Sequence, residues 1–506
     1  MNNFIKNINS LMPEHDHPGG LIHPYWARKP LNIIELLICT YSNKNDTILD
    51  PFMGSGTSVL AAVKNDRNII GSDLNPTSKL FVDSMLNSTI LPNRFKEILD
   101  FAVNDWIKFT LNLYQSKCGE YIERESFCVE GDYANSEFTL VFQEAKLKPL
   151  KDGKLKGATK IVKYIEYENE ICEELLNAPI DFSKISFTEN TRIAVHKNVK
   201  ASDFFTERNI IFINYVHTFI KKHLTCEKEI NFIKLFLSSM IPLLRLSDKK
   251  ASSQWPYWRP KDHLTSRNPI VAINKRYVAF LNFFSWGKKY LNKPQIETNI
   301  FQCAADSIIE KHTQKVDLII TDPPYADHAP YLEYSDFYWS IISGERNHNL
   351  WSHEIVKTNA VGRENDSRCY AIRMQNSIQT ILKLLKDQGY FVFFYLDKNI
   401  SHWNAIKTAI YSSNCIIEDV IAISKQRRSM KAVTSPGRTL DGDLIIVCKK
   451  DDSVQNLKSP ILMKDILSNI KGNNYFERFT DFIKKFMMSE VSDLPNWRIT
   501  DISRLI

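Results

Sequence analysis

Short apolar runs alternate with turns and helix-like stretches near the start of the chain. Apolar runs at residues 46–50 and 68–73 flank a glycine-containing turn and a helix-like pattern at 58–64. A strand, a turn, a helix and a second strand in this order are typical of a parallel α/β unit. We therefore predict that residues 20–90 form the first part of an α/β domain.

The same alternation returns between about residue 300 and residue 450. An amphipathic helical pattern at 371–386 ends near Gly389. The apolar runs that predict strands lie at residues 316–321, 390–396, 416–424 and 443–448. The last two runs are compatible with a hairpin. This region therefore predicts the second part of the same α/β domain.

The middle of the chain has a different character. A Lys-rich stretch at 146–160, which suits a solvated hairpin or loop, precedes helical apolar patterns at 210–224 and 230–246. An aromatic and basic loop follows at 249–267. The pattern thus predicts four segments: 20–90, the first part of the α/β domain; 91–300, a mainly helical insert; 301–450, the second part; and 451–506, a C-terminal tail of short helices.

Composition narrows the class of protein. The 506 residues carry 65 Lys and Arg against 58 Asp and Glu, a formal charge of +7, which permits a polyanionic partner without demonstrating one. Apolar residues make up 43% and charged residues 24%, so overall disorder is excluded. None of the nine Cys residues form a C-x2-C pair, which argues against a disulfide scaffold or zinc ribbon. No signal-peptide or membrane-spanning pattern is seen, so we expect a cytoplasmic protein.

The first motif with chemical content is DPFMGSGT at residues 50–57, between a predicted strand and a predicted helix. Gly54 and Gly56 permit positive φ and close backbone approach, and Asp50 ends the strand. Asp73 ends the next strand, 23 residues after Asp50, near the spacing at which a carboxylate reaches a ribose diol. The alternative is a turn whose glycines serve packing alone. Because a Lys after Gly56 and a third Gly are both missing, a triphosphate or dinucleotide site is not expected.

The second motif is TDPPY at residues 321–325, directly after the predicted strand 316–321. Two prolines stiffen a turn at the strand's carboxyl end, where open α/β sheets bind ligands. The Asp322 carboxylate and the Pro323 carbonyl are acceptors, and the Tyr325 ring can stack on a planar partner. Two acceptors and one ring face suit an exocyclic amino group on an aromatic base. The alternative is a strand-ending turn with a solvated Asp.

Together these motifs resemble the amino-methyltransferases that use S-adenosylmethionine to methylate adenine N6 or cytosine N4 in DNA. Residues 23–30 (HPYWARKP) are similar to a stretch that opens a bacterial subgroup of adenine-specific DNA methylases, and residues 330–339 resemble that subgroup's continuation after DPPY. The resemblance covers about 20–90 and 300–450. It implies a Rossmann-like methyltransferase sheet, with the insert between the cofactor loop and DPPY as a candidate target-recognition region.

The resemblance also implies roles for individual residues. The methionine end of the cofactor would be lined by Asp50, Phe52, Gly54, Gly56 and Thr57. Asp73 would bind the ribose and Asp306 would lie near the cofactor adenine. The catalytic tetrad would be Asp322, Pro323, Pro324 and Tyr325. The amino nitrogen would donate to Asp322 and Pro323 and attack the methyl sulfonium directly, with no covalent enzyme intermediate.

The chain departs from the subgroup in two respects. A Cys-rich ribbon that the subgroup often carries is reduced to Cys118 and Cys128, ten residues apart, so we expect no metal there; nor do we expect one at residues 15–17 (HDH). The tetrad begins with Asp rather than Ser, which in the family favours adenine N6 without excluding cytosine N4. No Pro is followed by Cys, which excludes the usual cytosine-C5 nucleophile.

A base bound against Asp322 must be flipped out of the duplex, so phosphate contacts are needed. One candidate group lies at 421–440, which contains no acidic residue, and consists of Lys425, Arg427, Arg428, Lys431 and Arg438. The other interleaves Trp255, Tyr257 and Trp258 with Lys249, Lys250, Arg259, Lys261 and Arg267. For 249–267, a solvated loop with packed Trp side chains is an equal alternative.

The leading hypothesis is a DNA adenine-N6 methyltransferase of a bacterial or phage restriction-modification system. DNA is the expected partner, and a restriction endonuclease or another defence-system subunit is a candidate second partner. The alternatives are a cytosine-N4 methyltransferase, an RNA methyltransferase and a catalytically silent DNA-binding subunit. Only 49 residues precede Asp50, which weighs against the RNA enzyme, and the intact Asp73 and Asp322 weigh against a silent subunit.

Overall fold

The computed structural model describes most of the chain. The described residues are 8, 10–25, 28–132, 136–190, 195–248, 263–326, 329–358, 360–363, 365–424, 440, 442–453, 460–491 and 501–506. The proposed DNA contacts Lys425, Arg427, Arg428, Lys431 and Arg438 lie outside them. So do the basic and aromatic residues of the second group from Lys249 to Lys261, whereas Arg267 lies within them.

Helices and strands alternate along much of the described chain. The α-helices are α1 (Pro18–Leu21), α2 (Leu31–Tyr41), α3 (Thr57–Lys64), α4 (Pro76–Ile90), α5 (Pro92–Leu113), α6 (Glu173–Asn177), α7 (Glu207–His223), α8 (Glu227–Leu244), α9 (Pro269–Tyr290), α10 (Tyr331–Ser343), α11 (Ser367–Leu382), α12 (Ile400–Tyr411), α13 (Met463–Ser468) and α14 (Tyr475–Met488). The strands are β1 (Thr47–Asp50), β2 (Asn68–Asp73), β3 (Tyr121–Asp132), β4 (Glu137–Lys148), β5 (Leu150–Lys151), β6 (Lys154–Leu155), β7 (Lys160–Val162), β8 (Ser247–Asp248), β9 (His263–Arg267), β10 (Thr298–Gln302), β11 (Val316–Thr321), β12 (Leu385–Phe394), β13 (Cys415–Ser424) and β14 (Gly442–Lys450).

A seven-stranded sheet joins the two distant parts of the α/β domain. Its strand order is β10-β2-β1-β11-β12-β14-β13. All neighbouring pairs are parallel except those of β14, which runs antiparallel to both β12 and β13. The chain order reverses beside the central pair β1 and β11, and such a point forms a crevice at the carboxyl ends of the strands. The fold is therefore α/β and Rossmann-like, as the sequence predicts.

Both faces of this sheet are buried. Leu318 and Ile320 of β11 pack into one core with helices α2, α3 and α4, whereas the intervening Ile319 points into a second core with α11, α12 and α14. This two-sided burial explains why the central strands are almost continuously apolar in sequence. Phe479 in α14 is fully buried against the sheet, so the C-terminal helices form part of a packed layer.

The insert combines helices with a second sheet. Helices α5, α7, α8 and α9 pack around the buried Trp106, and a five-stranded sheet has the order β7-β4-β3-β9-β8. The helical patterns at 210–224 and 230–246 are confirmed as α7 and α8. The five-stranded sheet was not predicted, because β3 and β4 carry charged residues on both faces and so lack a clear apolar alternation.

Most predicted strands are confirmed within a residue or two. The runs 68–73 and 316–321 are β2 and β11, and β13 and β14 form the expected antiparallel pair. Gly389 does not end a helix. It lies inside β12, where an added Cβ would be 2.9 Å from the Asp317 carbonyl oxygen. Within the described ranges, no helix is both long and apolar enough to cross a membrane.

Candidate functional site

A cleft that is open to solvent lies at the carboxyl ends of the central strands. Residues that follow β1, β2, β10 and β11 line it, so both motifs face the same space. Asp50, Asp73, Asp306 and Asp322 are all among the lining residues. The fold thus brings together residues that lie as much as 272 positions apart in sequence.

The Asp50 carboxylate organises the first turn. Its Oδ1 accepts hydrogen bonds from the Phe52 amide at 3.0 Å and from the Thr321 hydroxyl at 2.6 Å, and its Oδ2 accepts from the Ser58 hydroxyl. Burial raises the pKa of Asp50 to about 6, and these hydrogen bonds oppose the shift. Asp50 therefore braces the loop from inside and links it to the strand that carries the second motif.

The two glycines of the loop are required by its backbone. Gly54 has φ of +50° and Gly56 has φ of +79°, in the left-handed region that favours glycine. A Cβ on Gly56 would lie 2.6 Å from Val82 Cγ2, and one on Gly54 would lie 3.1 Å from the Tyr25 ring. The loop therefore passes close to α4 on one side and leaves its backbone facing the cleft at the start of α3.

Asp73 closes the loop from the neighbouring strand. Its two carboxylate oxygens accept hydrogen bonds from the amides of Gly54 and Asn75, each at 2.8 Å. Burial raises the pKa of Asp73 to about 7 despite these two bonds. The carboxylate thus has a fixed orientation at the end of β2, at the position where doubly wound folds bind a ribose diol.

The remaining predicted cofactor residues also surround the cleft. Phe52 and Thr57 line it within the loop, and Asp306 lines it from the short helical segment that follows β10. Asp306 is exposed. Tyr25 and Tyr331 stack nearly parallel, with ring centroids 6.4 Å apart and an interplanar angle of 14°, and both line the cleft. Sequence reasoning missed this tyrosine pair.

Asp322 follows β11 and presents an unsatisfied acceptor. Its Oδ1 is buried and accepts no hydrogen bond within the part of the chain that the structure describes. Burial raises the pKa of Asp322 to about 6, while the Lys29 ammonium and a hydrogen bond from Tyr325 lower it. Lys29 Nζ lies 3.5 Å from this oxygen, too far for a usual hydrogen bond, so Oδ1 retains the capacity to accept one from a further donor.

The two prolines present their carbonyls differently. The Pro324 carbonyl accepts a hydrogen bond from the Tyr370 hydroxyl at 2.6 Å, which in turn contacts the Tyr395 hydroxyl at 3.1 Å. The Pro323 carbonyl accepts no hydrogen bond from any described residue. The Tyr325 ring packs edge-on against Tyr395, with centroids 5.5 Å apart and an interplanar angle of 79°. The Pro324 carbonyl is thus held by the fold, whereas the carbonyl of the buried Pro323 has no donor among the described residues.

The segment at residues 23–30 supports both motifs. The buried His23 ring contacts the Ser238 hydroxyl of α8 at 2.9 Å, and burial lowers its pKa, so it is a neutral structural residue. The Arg28 guanidinium donates to the Ser55 hydroxyl of the glycine loop at 3.1 Å. Lys29 Nζ donates to the Tyr325 hydroxyl at 2.9 Å. The sequence showed this segment only as a resemblance, without contacts to either motif.

A second group that the sequence did not reveal lies behind the cleft wall. The buried Arg363 guanidinium contacts the Glu333 carboxylate at 2.7 Å and the Glu354 carboxylate at 2.8 Å. Glu354 also accepts from the Leu332 amide at 2.8 Å and lines the cleft. This group ties the start of α10 to the segment that precedes α11, and thereby fixes one wall.

An arginine pair marks the five-stranded sheet of the insert. Arg124 in β3 lies directly opposite Arg267 in β9. Burial lowers the pKa of Arg267, and the charges of Arg124 and Arg245 lower it further. Neither Arg124 nor Arg267 forms an ion pair with a carboxylate of the described residues. Like charges placed opposite each other destabilise a sheet, so this pair suits an anionic partner.

Similarity to known proteins follows the same two parts of the chain. A family model described as DNA methylase matches residues 4–81 and 316–497, just over half of the chain. The Type II methyltransferase M.MthZI of Methanothermobacter thermautotrophicus is 32% identical over 145 residues, which cover 26% of this chain and 39% of that protein. The Type II methyltransferase M.MjaII of Methanocaldococcus jannaschii is 29% identical over 149 residues, covering 29% of this chain and 27% of that protein.

These matches are partial. The chain matches well under two thirds of the length of either methyltransferase. A solved structure from Thermoplasma acidophilum, whose title assigns it provisionally as a methyltransferase, aligns with 36% of this chain and 55% of its own, at 12% identity and a TM-score of 0.18. That score carries no argument about this chain, so the family rests on the sequence match alone.

Proposed function

This chain belongs to the family of DNA methylases that comprises the N6 and N4 amino-methyltransferases, and from this premise we propose that it transfers a methyl group from S-adenosylmethionine to the exocyclic N6 amino group of adenine in DNA. One observation carries the proposal. Asp322 lines the cleft, and its buried Oδ1 accepts no hydrogen bond and has only a long contact of 3.5 Å with Lys29 Nζ. This oxygen and the carbonyl of the following Pro323, to which no described residue donates, supply two acceptors at the end of β11 for the two N–H bonds of an amino group.

In this proposal the second motif prepares the amine. Asp322 Oδ1 and the Pro323 carbonyl accept its two protons in hydrogen bonds, which leaves the nitrogen lone pair outside the ring conjugation. The Tyr325 ring supplies a stacking face for the base, and its hydroxyl is held by Lys29. Because the Pro324 carbonyl is fixed by Tyr370, the turn keeps its shape as the base enters.

The chain's residues fit S-adenosylmethionine. A Cβ on Gly54 or Gly56 would crowd Tyr25 or Val82, so both glycines let the loop keep its position beside the cleft. Asp73 lies at the end of β2, where a ribose is bound in doubly wound folds. Arg28 holds the loop at Ser55. When bound, S-adenosylmethionine supplies an electrophilic methyl group on a sulfonium. The Asp50, Asp73 and Asp322 carboxyls around the cleft match the positive charge of that cofactor.

Adenine rather than cytosine is favoured by the first residue of the tetrad. In the family, an Asp at the first position of the tetrad, as at Asp322, favours methylation of adenine N6 over cytosine N4. The cytosine-N4 enzyme shares the same two-acceptor chemistry and is the second candidate. The names of the two methyltransferases compared above describe Type II enzymes, and we therefore propose a modification system as the setting, with a restriction endonuclease as a candidate partner.

DNA contact is proposed at the insert as well as at the undescribed basic residues between 425 and 438. Arg124 and Arg267 form a like-charged pair that phosphate would neutralise. Arg245 is a third positive charge near this pair, because its charge also lowers the pKa of Arg267. Phosphate contacts of this kind would help to offset the few kcal/mol that flipping a base costs.

Nucleoside mass spectrometry tests the proposal. The protein is incubated with S-adenosylmethionine and double-stranded DNA, single-stranded DNA or RNA, and the digested nucleosides are analysed. We expect N6-methyladenine from DNA. N4-methylcytosine would replace the proposed base by the second candidate, and methylated nucleosides from RNA alone would contradict a DNA substrate.

A further inference from the structure

Lys29 lies where three remote segments of the chain meet. It precedes α2, whereas Asp322 and Tyr325 follow β11 and Asp443 belongs to β14. Its Nζ lies 3.5 Å from Asp322 Oδ1, 3.5 Å from Asp443 Oδ2 and 2.9 Å from the Tyr325 hydroxyl. The Lys29 side chain is 12% exposed, so these contacts are made largely out of water.

The distances show how Lys29 divides its contacts. The hydrogen bond at 2.9 Å is directed to the Tyr325 hydroxyl, while both carboxylates lie at 3.5 Å, beyond the usual range for N–H···O bonds. Asp322 Oδ1 therefore has the Lys29 ammonium as an electrostatic partner at long range and accepts no hydrogen bond of ordinary length. An ammonium paired tightly with Asp322 would instead compete with the incoming amine for this oxygen.

The charge on Lys29 is secured by its surroundings. Burial lowers the pKa of Lys29, and the Asp322 and Asp443 carboxylates more than offset that effect, so its pKa is raised overall. The rings of Tyr325 and Phe394 lie 5.0 Å and 5.2 Å from Nζ and add cation–π contacts. Lys29 therefore stays protonated at neutral pH, and the three charges sum to −1 when both carboxylates are ionised.

We propose that Lys29 and Asp443 are positioning residues that act on the target amine through Asp322 and Tyr325. Lys29 holds the Tyr325 ring as a stacking face and keeps Asp322 ionised. Asp443 draws the ammonium away from Asp322, so that Oδ1 stays open for the N–H bond of the base. This inference rests on the proposed function, since it specifies how the same site receives its substrate amine.

The two residues act on Asp322 with opposite signs. The Lys29 ammonium favours the ionised form of Asp322, and the Asp443 carboxylate disfavours it. Within the described part of the chain, two other titratable groups act on Asp322: Tyr325 from its own turn and Tyr331 from α10. Burial raises the pKa of both tyrosines, so they remain neutral between pH 5 and pH 9. A change in the titration of Asp322 therefore reports on Lys29 and Asp443.

The first experiment measures the ionisation of Asp322 without requiring turnover. The full-length protein is labelled with ¹³C at the aspartate side-chain carboxyls, and the Asp322 signal is assigned by its loss in Asp322→Ala. We expect Lys29→Met to raise the titration midpoint by about one pH unit and Asp443→Asn to lower it by about one unit. Lys386→Met is the matched control, because it removes the 2.6 Å contact with Asp317 at the far end of β11.

The outcomes of this titration are distinct. Opposite shifts in the two variants, with no shift in the control, support the inference. Shifts in the same direction, or shifts no larger than that of Lys386→Met, overturn it. Lys29→Arg keeps a cation in place and is expected to restore the wild-type midpoint. This rescue also shows that a displaced midpoint in Lys29→Met does not come from misfolding.

The second experiment measures single-turnover methylation against pH. We expect the acid limb of the rate to move to higher pH in Lys29→Met and to lower pH in Asp443→Asn, with cofactor affinity changed less than threefold. A merely structural role would lower the rate at every pH without moving the limb. A wild-type protein that methylates nothing would contradict the proposed function, whereas an active wild type with unmoved limbs in both variants would contradict this inference alone.

Discussion

The Thr321 hydroxyl, at the last residue of β11, donates a hydrogen bond of 2.6 Å to the Asp50 carboxylate at the last residue of β1. Both residues are buried. The bond joins the glycine loop, which we assign to the cofactor, to the strand that carries the catalytic motif. Because both ends are rigid strand termini, it sets the relative position of the two halves of the proposed site.

Loss of this hydrogen bond is expected to lower the stability of the fold and to weaken cofactor binding. Thr321→Val keeps the side-chain shape but removes the donor to a buried carboxylate, which costs about 1.5–3 kcal/mol in the free energy of unfolding. The pKa of Asp50 should then rise above about 6, because the Thr321 bond lowers it. Chemical denaturation and cofactor calorimetry measure these effects. Thr321→Ser retains the hydroxyl and is the control. Equal stability and equal cofactor affinity of the Val and Ser variants would refute the claim that the Thr321–Asp50 hydrogen bond joins the two halves of the site.

Alanine variants at two glycines separate the effect of close packing around the glycine loop from the effect of backbone strain. Gly56→Ala places a Cβ 2.6 Å from Val82 Cγ2 at φ of +79°. Gly153→Ala meets a similar φ of +69° in the β5–β6 hairpin with no atom within 4 Å of its Cβ. In both variants the left-handed backbone conformation lowers the free energy of unfolding by about 1–2 kcal/mol. We expect only Gly56→Ala to lower cofactor affinity, by at least about tenfold. Equal affinities of the two variants in calorimetry would contradict the claim that packing at Gly56 positions the loop for the cofactor.

The pH dependence of cofactor binding follows from the raised carboxyl pKa values. Burial raises the pKa of Asp50 and Asp322 to about 6 and that of Asp73 to about 7. Their folded values exceed the unfolded ones, so their contribution to stability is fully present below about pH 4 and is lost as pH rises through 6 to 7. A bound cation favours the ionised forms, and its binding therefore releases protons at pH 6.5 but not at pH 8.5.

Calorimetry in two buffers of different ionisation enthalpy measures this release. S-adenosylhomocysteine is the matched control, since it fills the same site without the sulfonium charge. We expect S-adenosylmethionine to release more protons than S-adenosylhomocysteine at pH 6.5. Proton uptake, or equal release at the two pH values, would show that the carboxyls do not face the cation.

The arginine pair of the insert predicts a salt-dependent DNA contact. If Arg124 and Arg267 each neutralise one phosphate, the double variant Arg124→Gln/Arg267→Gln should reduce the slope of log affinity against log salt by about two. Titration of DNA at several salt concentrations measures it. Arg94→Gln, which removes an exposed arginine of α5 from its ion pair with Glu229 of α8, is the control. A slope unchanged from that of the control would exclude the pair from the DNA interface.

The central sheet could be predicted from the sequence because its buried strands are rich in apolar residues. Residues 316–321 are apolar at four of six positions because both faces of β11 are covered, and Asp322 follows the end of the strand. The loop was equally readable, because Gly54 and Gly56 adopt φ values that other residues avoid. Both motifs could therefore be recognised, because the residues of each are contiguous in the sequence.

The missed features depend on contacts between distant segments. Lys29 and Asp443 are 414 positions apart, and nothing local to either residue indicates that their charges meet at Asp322. The five-stranded sheet escaped prediction for a different reason. Its strands β3 and β4 are partly exposed on both faces, so their side chains lack the alternation that marks a half-buried strand.

The central claim is that Asp322 receives the amine that is methylated. Single-turnover transfer from trideuteromethyl-labelled S-adenosylmethionine to DNA is followed by mass spectrometry for the wild type, Asp322→Ala and the control Asp317→Ala from the start of β11, each saturated with cofactor. We predict labelled N6-methyladenine from the wild type and the control, and a rate at least about 100-fold lower for Asp322→Ala with cofactor affinity largely retained. Transfer by Asp322→Ala at close to the wild-type rate would contradict the account.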